Sequence, residues 1–146
     1  MTGQVWTDEH AVSGALTRRA MEYGNAMQRI VNAGSGPDAS PEMWDEITQF
    51  LDVARFRRVG NDRAEMGWER YRELLTQWAR HSAHYVKSFR RAAEIGNLVY
   101  LELEERPTPR GGAETVVNSV TIYEFDAAAK LVHLDVYLQE SGSPAA

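Results

Sequence analysis

An α+β domain, with three helices packed against one face of a curved antiparallel sheet, is the architecture this sequence predicts. Three observations carry that expectation. Apolar residues in the first half recur at helical spacings, and in the second half apolar and polar residues alternate. Short stretches rich in turn-forming residues join the alternating segments. Each element has one apolar face to bury, and packing the helices on the sheet buries both. A strongly curved sheet of this kind wraps its helices into a cone with an apolar cavity.

The first helix is expected from Thr7, a suitable N-cap, through Val12, Leu16, Tyr23, Met27, Ile30 and Val31. Those residues form one stripe. Gly, Pro, Asn and Ser cluster in NAGSGPDAS (32–40) and should end it. Ser40-Pro41 then supplies a cap and a first-turn proline for a second helix. Its apolar face is Met43, Trp44, Ile47, Phe50 and Leu51, and Glu42, Asp45 and Glu46 sit near the positive end of its dipole. In LDVARFRRVG (51–60), Val53, Arg55, Arg57 and Val59 alternate with Ala54, Phe56 and Arg58, which predicts a short strand ending at Gly60. The third helix covers 67–81, where Trp68, Tyr71, Leu74, Leu75 and Trp78 share a face. Strands are expected at 83–94, 97–106, 114–125 and 130–139. Connections as short as Ile95-Gly96-Asn97 and 126–129 imply antiparallel neighbours. The chain reads as one domain, 1–146, with a core of about 10–139 and a disordered tail over 140–146.

Composition narrows the function. An apolar share of 43% and a charged share of 25% are those of a globular protein, and no apolar run approaches the ~20 residues of a membrane helix. The N-terminal stretch has early acids and no apolar segment, unlike a secretory signal. With no cysteine, disulfides, thiol catalysis and zinc–thiolate sites are excluded, and a cytoplasmic location is expected. Net charge is −5, and the basic pieces 55–60 and 88–93 read as strands with solvated arginines. No nucleic-acid partner and no membrane are expected. His81 and His84, placed near the end of the third helix, have no carboxylate at ligand spacing, so no metal site and no cofactor are expected.

The order α-α-β-α-β-β-β-β, with NLVYLELEER (97–106) and TIYEFDAAAKLVHLDVYLQ (121–139), resembles the nuclear transport factor 2-like superfamily. The similarity is to its SnoaL-like branch, which holds ketosteroid isomerases, polyketide cyclases and limonene epoxide hydrolases. The resemblance implies a cone-shaped, cystatin-like α+β barrel and a ligand cavity inside it. Limonene epoxide hydrolases carry an Arg and, two residues on, an Asp in the third strand. Those positions fall on Leu103 and Glu105 here. The second family Asp, and the SnoaL-type acid, fall on Val136. The family's tyrosine and asparagine of the first strand fall on Phe56 and Arg58. The resemblance therefore implies an epoxide-hydrolase acid set that is not matched, and a largely apolar pocket lined by Phe56, Leu101, Leu103, Leu134, Val136, Trp44 and Trp78. Val99, Val132 and Leu138 are expected to face inward as well.

Several residues are candidates for chemistry. Glu105 is the sharpest inward carboxylate. In an apolar cavity burial would raise its pKa toward neutrality and suit it to proton transfer, whereas at the strand's mouth beside Arg106 it would be solvated. Arg58 either faces the cavity, to pair with Glu105 or hold an anionic group, or ends the strand at the surface. Tyr23 lies on the first helix's stripe, where the resemblance implies an oxyanion donor and packing is the alternative. His133 and Asp135 stand about 6.5–7 Å apart along a strand, awkward for a direct bond, and face away from Val136. They are second-choice site residues, and their face fits a homodimer interface equally well. The expected function is general acid/base proton transfer on a hydrophobic ring-type ligand such as a polyketide, terpenoid or steroid, of the isomerase, cyclase or dehydratase (lyase) type. The alternatives are a non-catalytic binding module for such a ligand and a dimeric interaction subunit.

Overall fold

The computed structural model describes residues 14–140. Thr7, Val12 and the tail from 141 lie outside the described residues. Helix α1 runs Ala15–Gly34, with Tyr23, Met27, Ile30 and Val31 of the expected stripe buried beside Ala20 and Met21. Its first turn is capped from a distance. Oε1 of Glu94 accepts a hydrogen bond from the Thr17 N–H at 2.7 Å and another from the Thr17 hydroxyl at 2.8 Å. A carboxylate there satisfies an orphan donor and meets the positive end of the helix dipole.

The segment Pro41–Phe50 is a 3₁₀ helix rather than the expected second α-helix. Trp44, Ile47 and Phe50 are its buried residues. They are spaced by three, which a helix of three residues per turn stacks on a single line. Leu51 is buried beyond its end and bridges in parallel to Leu131. The strand expected over 51–60 shrinks to β1, Arg57–Val59. Residues before it turn instead, because the Asp52 carbonyl accepts from the N–H groups of Arg55 and Phe56 and its carboxylate accepts from Arg55 N–H. Asp favours such turns by bonding its own downstream backbone. A two-residue strand, β2 (Glu65–Met66), pairs antiparallel with β1. Helix α2 spans Trp68–His81, so His81 ends it while His84 lies on the next strand, a correction to the expected helix-end pair.

Strands β3 (Ser82–Ile95), β4 (Leu98–Pro109), β5 (Val117–Phe125) and β6 (Leu131–Glu140) form an antiparallel meander. The β3–β4 loop is two residues long, and Gly96 supplies the positive φ of 60° at its first position, as a II′-type hairpin requires. The full order is β2-β1-β6-β5-β4-β3. One pairing departs from the expected all-antiparallel sheet: β1 runs parallel to β6, with Arg58 opposite Leu134. The chain between them passes through α2 and four strands, and such a long crossing is free of the hairpin's antiparallel demand. The sheet is mixed and does not close, so the architecture is an open cone around the helices rather than a closed barrel.

Irregularities bend the sheet. Register shifts at Ser82/His84 and Phe89/Arg91 in β3, and at Glu124/Phe125 opposite β6, increase local twist. The last one overturns one expected position. Leu131, fully buried, takes the inward place and Val132 is left half-buried in the bulge. Helix α1 covers the β3 edge, which would otherwise present unpaired backbone. The Asn32 side chain accepts from Tyr85 N–H at 2.9 Å and donates to Tyr85 C=O at 2.7 Å, and Gln28 accepts from Lys87 N–H at 3.0 Å. Arginines of the basic pieces pair with carboxylates, Arg90 with Glu104 at 3.1 Å, Arg91 with Glu102 and Arg57 with Glu65 at 3.7 Å, whereas Arg58, expected to be solvated with them, turns into the cone. Exposed pairs of this kind add little stability. Among the described residues, no helix is long and apolar enough to cross a membrane.

Candidate functional site

Between the helices and the concave sheet face lies a cavity of about 420 Å³, within the size range of small-molecule sites. Its apolar walls are Met27 of α1, Leu75 and Trp78 of α2, Leu103 of β4, and Leu134 and Val136 of β6. The period of two in the strands and of three to four in α2 puts these side chains on the faces that meet. Of the residues expected to form the pocket, Leu103, Leu134, Val136 and Trp78 line it. Trp44, Phe56 and Leu101 do not. Each is 0% exposed in the core, because the helices pack directly on that end of the sheet.

Glu105 lies on the cavity wall, half-buried. Its Oε1 accepts a hydrogen bond from the Tyr85 hydroxyl at 2.5 Å. Among the described residues, Oε2 accepts none. Tyr85 is held on three sides. Asn32 fixes its backbone, its ring meets Trp78 at 5.0 Å, and Glu105 accepts a hydrogen bond from its hydroxyl. Burial, then the negative charge of Glu105, pushes the Tyr85 hydroxyl well above the usual tyrosine range. It therefore remains a donor, and it fixes the carboxylate with one oxygen turned to other partners. Lys87, directly opposite Glu105 in the β3–β4 register, also lines the wall. Its ammonium lies 4.3 Å over the Phe89 ring and donates to Asn25 Oδ1 at 2.8 Å.

The inner end is built from aromatic hydroxyls and one cation. Tyr23 of α1 and Tyr71 of α2 share a hydrogen bond of 3.1 Å between their hydroxyls. Tyr23 meets Tyr123 edge-on at 6.1 Å, and Phe56 stacks on Tyr71 at 5.8 Å. Burial raises the Tyr23 and Tyr123 hydroxyls well above their ordinary value, so both stay protonated. The Arg58 guanidinium lies 5.1 Å over the Tyr71 ring. A Cβ on Gly60 would stand 2.8 Å from Arg58 Nη1, so the glycine is what lets the guanidinium lie against the backbone there.

Arg58 and Glu105 enter the cavity at different levels. Arg58 is in the row of Leu134, Tyr123 and Val99, and Glu105 is six residues beyond Val99 on β4. About 20 Å of strand separates the two rows at the usual rise. The expected Arg58–Glu105 pair does not form. His133 and Asp135 lie on the opposite face of β6 from Leu134 and Val136, away from the cavity. They do bond directly, His133 Nε2 to Asp135 Oδ1 at 3.2 Å, so the strand spacing is bridged after all by the two side chains leaning together. Among the described residues no cluster of three or more His, Asp or Glu forms a metal site.

Sequence reasoning missed Tyr85, Lys87, Ser119 and Tyr123 as cavity residues. The signal was present for two of them. Tyr85, Lys87 and Phe89 alternate on one face of β3, and a lysine between two buried aromatics marks an inward cation.

No protein-family model matches the chain, and no curated protein matches its sequence. Its fold does match solved structures. A SnoaL-like polyketide cyclase from Agrobacterium tumefaciens superposes with a TM-score of 0.65 at 16% identity, over 87% of this chain and 93% of that one. An NTF2-like protein of unknown function from Exiguobacterium superposes at 0.63 and 11% identity, over 82% and 99%. An LEH-like epoxide hydrolase of M. tuberculosis superposes at 0.60 and 14%, over 83% of each chain. By its architecture this chain carries the nuclear transport factor 2-like fold that these structures share.

Proposed function

We propose that the protein binds a hydrophobic ring-type small molecule in this cavity and transfers a proton on it, as an isomerase, cyclase or dehydratase does. One observation carries the reading: on the wall of a cavity lined by Met27, Leu75, Leu103, Leu134 and Val136, a carboxylate is fixed through one oxygen while the other accepts no hydrogen bond among the described residues. Glu105 is the base. Its Oε2 takes a proton from a ligand carbon, the electron pair delocalises into the adjoining unsaturated system, and the same carboxyl returns the proton elsewhere. Tyr85 is the positioning residue that aims Oε2. Tyr23 and Arg58 hold the negative end of the ligand at the inner end, where hydroxyls that stay protonated act as fixed donors. Thermal shift against polyketide, terpenoid and steroid panels identifies ligands. Turnover of a ligand so found should fall at least a hundredfold in Glu105→Gln with binding retained, and unchanged turnover would eliminate this assignment.

A second reading is favoured by Leu103 and Val136, apolar where the resemblance places an arginine and an acid. On that reading the cavity captures an apolar ligand and no reaction follows, so every compound that binds is recovered unaltered. For the outer sheet face, where Tyr137 is 58% exposed near Val120 and Tyr100, we propose a homodimer contact. Light scattering of wild type and Tyr137→Ala tests it, with a monomeric wild type as the contrary result.

A further inference from the structure

The Arg58 guanidinium makes no hydrogen bond and no ion pair with any described residue. Its neighbours are the Tyr71 ring and the Gly60 backbone. Its Nε is closed off from solvent and has no partner. This sets it apart from Arg29, Arg90 and Arg91, each of which meets a carboxylate. Arginine stays charged at any ordinary pH, and a cation in a site of low polarity is costly without an anion to meet its planar fork of donors.

The surrounding groups have the same polarity. The Tyr23–Tyr71 pair carries two hydroxyl protons and its bond uses one. The raised Tyr23 hydroxyl keeps its proton, so the inner end offers a spare O–H beside the unused N–H groups of Arg58. It presents donors and a positive charge, and its complement is a group with acceptors and a negative charge. Glu105 does not serve, being about 20 Å of strand away from this row. The charge Arg58 meets is one that the ligand brings with it.

We propose that the ligand is an amphiphilic carboxylate, with its carboxylate seated on Arg58 beside the Tyr23–Tyr71 hydroxyls and its apolar body lying along Met27, Leu75, Leu134 and Val136 toward Glu105. This rests on the reading of the cavity as a ligand site and adds the chemical class and orientation of what it takes. Ser119 supports a ligand with a polar atom along its body as well. It is 3% exposed, it lines the cavity between Leu103 and Leu138, and its Oγ has no hydrogen-bond partner among the described residues.

The test is calorimetric titration at pH 7 with matched pairs that differ in charge alone: 1-naphthaleneacetate and 1-naphthaleneacetamide, decanoate and decanamide. The carboxylate of at least one pair should bind ten-fold or more tighter than its amide. Arg58→Gln should bring the two within about two-fold by weakening the carboxylate, with Arg58→Lys intermediate because it keeps the charge and loses the fork. A thermal melt of each variant confirms that it is folded. Equal affinities in the wild type, or a preference that survives Arg58→Gln, would overturn the inference. If the carboxylates fail while neutral hydrophobic ligands bind, the anion site is wrong and the cavity reading stands. If nothing binds, both are wrong.

Discussion

Replacing Ser119 by alanine should make the unliganded protein more stable. Ser119 sits in β5 opposite Leu103 on one side and Leu138 on the other, and is 3% exposed. Its Oγ is shut from solvent and has no hydrogen-bond partner among the described residues. An unpaired buried hydroxyl costs roughly 1–3 kcal/mol in desolvation. Removing it sacrifices no protein hydrogen bond and leaves a void of about one atom, worth a few tenths of a kcal/mol. The net expectation is a gain of about 1 kcal/mol, a rise of about 2–4 °C in Tm for a chain of this size. Calorimetric melts of wild type and Ser119→Ala at pH 7 read it directly. A polar atom kept unpaired in a cavity for a ligand is a case of stability given up for function, so the same variant should bind its ligand more weakly. A drop in Tm would refute the reasoning, because it would mean that the hydroxyl already has a partner worth more than its burial costs.

Three other outcomes are expected. Tyr23→Phe and Tyr71→Phe should each destabilise by about 1 kcal/mol, and the double variant by less than the sum, with a coupling of about 0.5–1.5 kcal/mol from their shared bond; strictly additive urea-denaturation energies would remove that bond. Glu94→Ala should cost about 1–2 kcal/mol at an unchanged m-value, since it strips two hydrogen bonds from the first turn of α1; an effect below a few tenths would contradict the remote cap. At alkaline pH, Tyr23, Tyr85 and Tyr123 have folded values raised above the ordinary 10.0. Their contribution to stability is complete below pH 10 and is lost as pH rises further, because the unfolded chain releases these protons first. Ultraviolet titration should then show these three of the six tyrosines ionising only with unfolding, and six reversible ionisations near pH 10 would be the contrary result.

Much of this fold was legible in residue spacing. The stripe Tyr23, Met27, Ile30, Val31 and the face Tyr71, Leu75, Trp78 mark helices because tertiary burial follows the helical period. The alternation of Leu134, Val136 and Leu138 identified the inward face of β6. The 3₁₀ helix was legible only in part, since Trp44, Ile47 and Phe50 fit a period of three as well as 3.6. Asp52 ended the expected strand by a turn whose hydrogen bonds leave little trace in an alternation pattern. The parallel β1–β6 pairing depends on contacts some 75 residues apart along the chain, which local periodicity does not encode.

The site was legible to a lesser degree. For Glu105, Arg58 and Tyr23 a place in the cavity was one of two readings of the sequence, and all three line it. Their mutual arrangement was not. An Arg58–Glu105 pair was one reading of the sequence, and the register places them in separate rows. Tyr85 was passed over because a tyrosine on a strand reads as packing until its hydroxyl is seen on a carboxylate. Val132 was misplaced by a single bulge, which shifts every inward position on its far side by one residue.

Deuterium wash-in is the most direct test of the claim that Glu105 moves a proton on a ligand inside this cavity. A ligand found by thermal shift is incubated with the protein in D₂O, and its C–H signals are followed by proton NMR, so no product has to be known. Wild type should catalyse loss of one C–H signal, and Glu105→Gln should slow that loss at least a hundredfold while still binding the ligand. Exchange that proceeds equally in both proteins, or in neither while the ligand is bound, would contradict the account.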